Sequence, residues 1–339
     1  MKNNIKTLHK PDRVTRQKSG YSFFSNPMQV LMQKEIASHI RSWRFIILIF
    51  LIVLTFGASM YVSFSELRST IHNYQDPDHN FVYLKLLTSS DNSIPPFHVF
   101  LNFLAPLLGI ALGFDAINAE QNGGTLTRLM AQPIYRDNLL LAKFFAPLLI
   151  VSTLFISLIM CMIGAGLVKT GIAIEWQEIV RIAGFAIVSI LYVACWLSLS
   201  ILLSITFRQG ATSALTAIGI WLFFTVFFPI VVNLIVRPFL PNPNYISEAE
   251  YIASQELILN LMRLSPSQLY SDATTSILMP SIRSLGPLSM EQMIAAIPAP
   301  LSFKESIMTV WPQLTGIIAA MMVCFALSYY AFMRREVRS

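Results

Sequence analysis

The sequence predicts an all-α integral membrane protein with six transmembrane helices, an N-terminal interfacial amphipathic helix and a small extracytoplasmic helical segment. Three observations carry that prediction. Hydrophobic residues make up 55% of the chain and charged ones 12%, against about 25% charged in a soluble domain. Mean hydropathy is +0.60. Six apolar runs, at 45–64, 97–114, 144–168, 182–207, 213–236 and 307–333, are each long enough to cross roughly 30 Å of hydrocarbon. A net charge of +6 would suggest nucleic acid in a soluble chain, but here the placing of the charges decides, and no nucleic-acid partner is expected.

The charges also orient the spans. Putting the N-terminus, the 115–143 loop, the 207–212 turn and the C-terminus on one side gathers 16 of the 24 Lys and Arg there, with 6 of the 18 acids. Basic loops stay cytoplasmic, so both termini are expected inside a prokaryotic inner membrane.

Residues 1–25 hold Lys2, Lys6, Lys10, Arg13, Arg16 and Lys18 against Asp12 and read as a disordered basic cytoplasmic tail, with contact to anionic membrane lipids as the sharper reading. No short apolar core near the start suggests a cleaved signal. Asn26 and Pro27 form a helix-start pair, and 26–44 reads as an amphipathic helix on the inner membrane surface. Val30, Leu31, Ile36, Ile40 and Trp43 are its apolar members, and Gln33, Lys34, Glu35, His39 and Arg41 its polar ones. Spans one to five occupy 45–236. Gly109 and Gly113 form a G-x-x-x-G pair that allows close helix approach, within the subunit or between subunits. Pro106, Pro147 and Pro229 can bend their helices. None of the six runs carries a charge near its middle, which argues against an ion-coupled carrier. No H-E-x-x-H motif appears, which argues against intramembrane proteolysis.

The 65–96 segment contains His72, Asp76, Asp78, His79 and Asp91. These types can bind a divalent metal, but nothing fixes a geometry, and a solvated acidic loop is the plainer reading. The 237–306 segment carries helix starts at Ser247/Glu250, Ser265-Pro266/Gln268 and Ser289/Gln292, and Ser302/Glu305 caps the entry to the last span. It reads as a helical cap on the outer face, either roofing its own spans or docking an extracytoplasmic partner. Residues 307–339 hold the sixth span and the cytoplasmic C-terminus, where Arg334, Arg335 and Arg338 stop transfer. Cys161, Cys195 and Cys324 lie in apolar runs and read as small buried hydrophobes.

The polar interruption at 115–143, DAINAEQNGGTLTRLMAQPIYRDNLLLAK, is the most patterned stretch of the chain. Gly123 and Gly124 break the helix arriving from the second span. Thr125, Leu126, Leu129 and Met130 then give the apolar stripe of one short amphipathic helix, with Thr127 and Arg128 on its other side, and Pro133 ends it. Glu120, Gly124-Thr125-Leu126, Leu129, Pro133, Arg136 and Lys143 resemble the first cytoplasmic loop of ABC transporter permeases of the type-2 exporter family. The match is eight positions in register. Asn122 stands where that family often has a second acid, and Ala142 where it has glycine.

The resemblance implies a short coupling helix seated in a groove of a separate ATPase, with two ATPase copies and a second permease subunit completing the complex. It assigns the coupling contact to Glu120, Gly123, Gly124, Thr125, Leu126, Arg128, Leu129, Pro133 and Arg136. The alternative for Leu126 and Leu129 is packing under the protein's own spans. The chain has no G-x-x-x-x-G-K-[ST] loop, so no cofactor is expected on it, and ATP and Mg²⁺ would sit on the partner ATPase. No catalytic set appears, so the chain is not expected to be an enzyme by itself. The functional reading is the permease subunit of an ATP-driven exporter. The alternatives are a permease of the copper-enzyme-maturation or gliding branch that transmits force to an extracytoplasmic partner without moving a solute, and a non-transporting membrane scaffold. An ATPase gene next door would separate the scaffold from the other two.

Overall fold

The computed structural model describes residues 27–71, 81–90, 94–126, 135–236, 238, 247–287 and 300–334. The basic tail, the histidine-bearing loop at 72–80, the core of the predicted coupling helix at 127–134, the predicted helix near 290–297 and the last five residues lie outside them. Among the described residues the secondary structure is helical, and six helices are long and apolar enough to cross a membrane.

Helix α1 (Pro27–Ile40) precedes α2 (Trp43–Ile71), the first span. A short α3 (Val82–Thr88) leads to α4 (Phe97–Gly113), which continues through a turn into α5 (Asn118–Asn122). The third and fourth spans are α6 (Arg136–Thr170) and α7 (Trp176–Thr206). The fifth is built from α8 (Gly210–Leu222), a π-helical turn (Phe223–Phe227) and α9 (Phe228–Val236). A pair, α10 (Glu248–Met262) and α11 (Pro266–Leu278), precedes the last span, α12 (Phe303–Arg334). Several helices overrun their apolar runs because polar first turns continue the same ladder. Helix α6, for example, starts at Arg136, well before its apolar stretch.

Helix α7 is the axis of the bundle. Its most apolar stretch is 67% buried, against 11% for the fifth span. Helix α4 lies directly against it because Gly109 and Gly113 leave no side chain between them. A Cβ on Gly109 would come within 2.7 Å of the Val193 carbonyl oxygen, and one on Gly113 within 2.9 Å of Ser200 Cβ. The glycine pair therefore serves close packing inside the chain, and Ser200 Oγ donates to the Ile110 carbonyl across the same seam at 3.1 Å.

Two features depart from the sequence expectation. The 65–96 segment is not solvated throughout, because Val82 to Leu87 are all buried. The Glu178 carboxylate of α7 accepts from the Tyr83 backbone N–H at 2.8 Å and so satisfies a first-turn donor of α3. Tyr83 donates its hydroxyl to the Ile172 carbonyl at 2.7 Å and lies over Gly166, where a Cβ would be 2.6 Å from the ring.

The second departure is the expected outer cap. It is a hairpin let into the bundle, and the cause lies in the fifth span. The Phe228 N–H bonds to the Phe223 carbonyl in π register, and Pro229, which would serve Phe224 in that register, has no N–H. The Phe224 carbonyl is thereby left without a helical donor, and Ser265 Oγ supplies one at 3.0 Å. Ser265 is the turn between α10 and α11, so the hairpin tip sits near the midpoint of the fifth span. Two more contacts fix the same depth. Tyr270 OH pairs with Ser189 Oγ at 2.9 Å, and Leu269 packs on Gly316, both near the middle of their spans. The rising end of α11 is held by Arg181, which is fully buried and donates to the carbonyls of Ile277 and Leu301 and to Ser306 Oγ.

The predicted capping boxes divide accordingly. Ser247/Glu250 and Ser302/Glu305 each form both reciprocal bonds. Ser265/Gln268 forms neither. The Ser265 hydroxyl goes to Phe224, and Gln268 Nε2 donates to Asp272 Oδ1 at 2.7 Å.

Gly109→Ala is expected to destabilise the detergent-solubilised protein by about 1–3 kcal/mol, because the new Cβ meets backbone rather than a yielding side chain. Gly57→Ala, with nothing within 4 Å of its Cβ, is expected to leave the melting temperature unchanged or slightly higher.

Candidate functional site

The 115–143 loop grows out of α4. Below the last turn of α4, the backbone N–H groups of Ile117 and Asn118 both donate to Ser204 Oγ of α7, at 3.0 and 3.2 Å. Asn118 is 1% exposed, and its side-chain amide returns to the Phe114 carbonyl. The loop is therefore fastened to the fourth span before α5 begins. At the other end of α5, Asn122 Nδ2 donates to the Arg208 carbonyl at 3.0 Å, in the turn between the fourth and fifth spans.

Gly123 keeps right-handed helical geometry as the cap of α5, and the left-handed residue is Gly124, at φ +66°. That conformation costs an L side chain roughly 1–2 kcal/mol, so Gly124 is the glycine the turn requires. The chain reverses there, and Thr125 Oγ1 closes the reversal on the Glu120 carbonyl at 3.1 Å.

Glu120 is the centre of the site. Its Oε1 accepts from Lys34 Nζ of α1 at 2.8 Å and from Lys143 Nζ of α6 at 3.0 Å. Lys143 also reaches Glu35 Oε1 of α1 at 3.2 Å, and Lys34 lies 3.5 Å from the same oxygen. Two cations and two anions thus form a neutral cluster that joins α1, α5 and α6. Lys143 and Glu35 are buried, where an unpaired charge would be expensive and a paired, hydrogen-bonded one is tolerated. Burial alone would pull the Lys34 ammonium down. The hydrogen bonds and charges of Glu120 and Glu35 together outweigh burial and raise the Lys34 pKa above the ordinary lysine value. Glu120 Oε2 is buried and has no partner among the described residues. A second tie sits beside the cluster, where Arg44 of α2 meets Asp115 Oδ2 at 2.6 Å with its guanidinium over the Phe114 ring.

The site residues read from the sequence are placed as follows. Glu120 faces inward onto the cluster. Gly123, Gly124 and Thr125 form the turn. Leu126 is 4% exposed and belongs to the protein's own core. Arg136 opens α6 and is exposed beside Tyr135. Arg128, Leu129 and Pro133 lie outside the described residues. Gly109 and Gly113 are remote from the loop, in the α4–α7 seam.

Sequence reasoning missed Glu35, Ser204, Asn118 and Arg44. Glu35 had a legible signal, since it falls four residues after Leu31 on the stripe of α1 that is buried against α6, while Val30, Ile40 and Trp43 are exposed. Ser204 had none, because its two partners lie 86 and 87 residues away.

Fold and site together define a multi-pass helical membrane protein whose polar loop is tied to the ends of the first, third and fourth spans. It is a transporter membrane subunit, and the chain belongs to the ABC-2 family. The model of the ABC-2 family transporter proteins matches residues 29–337. A probable ABC transporter permease protein NosY of Stutzerimonas stutzeri is 27% identical over 241 residues, which cover 69% of this chain and 77% of that protein. A probable permease of the same name from Pseudomonas aeruginosa is 29% identical over 171 residues, covering 50% of this chain and 58% of that protein.

Replacing Lys143 with Met leaves Glu35 and Glu120 with only the half-exposed Lys34 between them. The expected cost is roughly 3–5 kcal/mol, the usual consequence of breaking one side of a buried pair. Adding Glu35→Gln is expected to restore about half of the lost melting temperature. Equal melting of Lys143→Met and the parent would show that the cluster does not fasten the loop.

Proposed function

We propose that this chain is the permease subunit of an ATP-driven ABC exporter, with the 115–143 loop receiving the stroke of a separate ATPase. Membership of the ABC-2 family implies an ABC ATPase partner. In this reading two ATPases, which hold ATP and Mg²⁺, work on two permease subunits. The complex resides in the inner membrane of a prokaryote with both chain termini in the cytoplasm, as the basic bias of that end favours.

The observation that carries the reading is how the loop is mounted. A displacement applied to it reaches the first span through Asp115–Arg44, the third through Glu120–Lys143, the fourth through Ser204 and the fourth-to-fifth turn through Asn122. Such a mounting suits a lever better than a passive connection. The assignment narrows accordingly. Leu126 anchors the turn from inside, Glu120 positions it, and Arg128, Leu129 and Arg136 are the contact residues toward the ATPase.

A second reading is favoured by the hairpin. Helix α11 and its cap Ser265 are hydrogen-bonded to the middle of the fourth and fifth spans and packed on the middle of the sixth, while α10 leaves most of its surface outside the core. Motion of those spans would reach the far side of the membrane whether or not a solute moves. Force transmission to an extracytoplasmic partner fits that coupling.

The double change Arg128→Glu, Leu129→Asp tests the contact. Co-purification of the ATPase is expected to fall at least about tenfold, equivalent to about 1.4 kcal/mol, while the melting temperature of the permease alone stays within a degree or two. Undiminished co-purification would refute the assignment.

A further inference from the structure

The fifth span has two backbone registers within reach of each other. In the one observed, the Phe228 N–H bonds to the Phe223 carbonyl, and the Phe224 carbonyl takes the Ser265 hydroxyl at 3.0 Å. Ser265 is 1% exposed, and its oxygen lies 2.8 Å from Ser267 Oγ. The single Ser265 proton goes to Phe224, so Ser267 donates to Ser265 and the donor is fully committed. In the α register the Phe228 N–H would move to the Phe224 carbonyl, which would then have no need of Ser265. The carbonyl left over would be that of Thr225, the ordinary deficit upstream of a helical proline. A π turn is the rarer form of helix, so it is the bond from outside the span that favours it here.

Two further observations bear on the second register. Thr225, inside the π turn, has a buried Oγ1 with no partner among the described residues. Helical threonines elsewhere in the spans return their hydroxyls to the carbonyl four residues back, as Thr216, Thr170 and Thr206 do. The α register would give Thr225 the same bond, to the Trp221 carbonyl, so a hydroxyl idle in one register is used in the other. Little packing opposes the change. The most apolar stretch of the fifth span is 11% buried, and Val232 is the buried residue of α9. We propose that the fifth span is a two-position element whose register is set by the hairpin: π with Ser265 docked on Phe224, α with Ser265 withdrawn. Losing the extra residue of the π turn rotates α9 by about 100°, one residue of an α-helix. Val231, 37% exposed, then takes the direction that Val232, 7% exposed, has now. Whatever draws the hairpin tip out therefore turns the outer half of the fifth span. The inference concerns this chain's own fold and is independent of the ATPase assignment.

Nitroxide labels placed singly at Val231→Cys and Val232→Cys read the rotation, in the full chain with Cys161, Cys195 and Cys324 replaced by alanine. Their accessibility to dissolved oxygen is measured in phosphatidylcholine nanodiscs. With Ser265 intact, the label at 231 is expected to be the more accessible of the two. Ser265→Ala removes the outside donor and is expected to reverse that order. Pro229→Ala supplies the donor that the α register lacks and is expected to reverse it as well. A label at Leu215→Cys, upstream of the π turn and 70% exposed in the parent, is expected to stay unchanged in both. An order that persists in Ser265→Ala overturns the proposal. So does an equal change at 215, because the whole span would then have moved without changing register. Should Ser265→Ala fail to fold, Pro229→Ala decides on the same readout, and persistence of the parent order there overturns the proposal.

Discussion

The structure depends most on a cluster of four charges, three of them held where water is scarce and the fourth, Lys34, half exposed. Lys34, Glu35, Glu120 and Lys143 come from three helices, of which α1 is far in sequence from the other two, so their pairing fixes how α1, α5 and α6 meet. None of Glu35, Glu120 and Lys143 could be buried alone, because an isolated ion in a low-dielectric site costs several kcal/mol. Each therefore obliges the others. The arrangement makes the interfacial helix and the loop parts of one rigid body with the third span. Given that, the bonds from Ile117 and Asn118 to Ser204 and from Asn122 to Arg208 connect the same body to the fourth and fifth spans.

A second constraint works at the opposite end by a different route. In hydrocarbon every backbone polar group needs a partner, and Pro229 withholds one from the Phe224 carbonyl. The deficit is met by a serine hydroxyl from another element, which turns a local defect of the fifth span into a docking point. Without that bond the α10–α11 pair would have less reason to enter the bundle. Polar groups thus position the membrane-embedded parts of this protein, while apolar contact fills the space between them.

Features set by a single segment were legible in the sequence. Length and apolarity gave the six spans, and the Ser247/Glu250 and Ser302/Glu305 boxes closed as read because all their partners lie within one turn. The turn at Gly123-Gly124 was also legible, although only Gly124 takes the left-handed conformation. What escaped was set by distant partners. Helix α3 is seven residues long, too short to read as a span, and it is secured by Glu178, 95 residues away. Ser265 looked like a helix cap, but a carbonyl 41 residues earlier claims its hydroxyl. At the site, Glu120 and Lys143 were visible as motif positions, yet their pairing with each other and with Glu35 was not. A carboxylate on an amphipathic helix reads as solvated until the partner helix is known.

The central claim is that the loop projects into the cytoplasm and meets a nucleotide-hydrolysing subunit. Leu129→Cys, in a chain whose Cys161, Cys195 and Cys324 have been replaced by serine or alanine, tests it most directly. The account predicts that a membrane-impermeant thiol reagent leaves this cysteine unlabelled in intact cells, and that a short bifunctional reagent joins it to the ATPase in inside-out vesicles. Labelling from outside, or cross-linking to no ATPase in those vesicles, would contradict it.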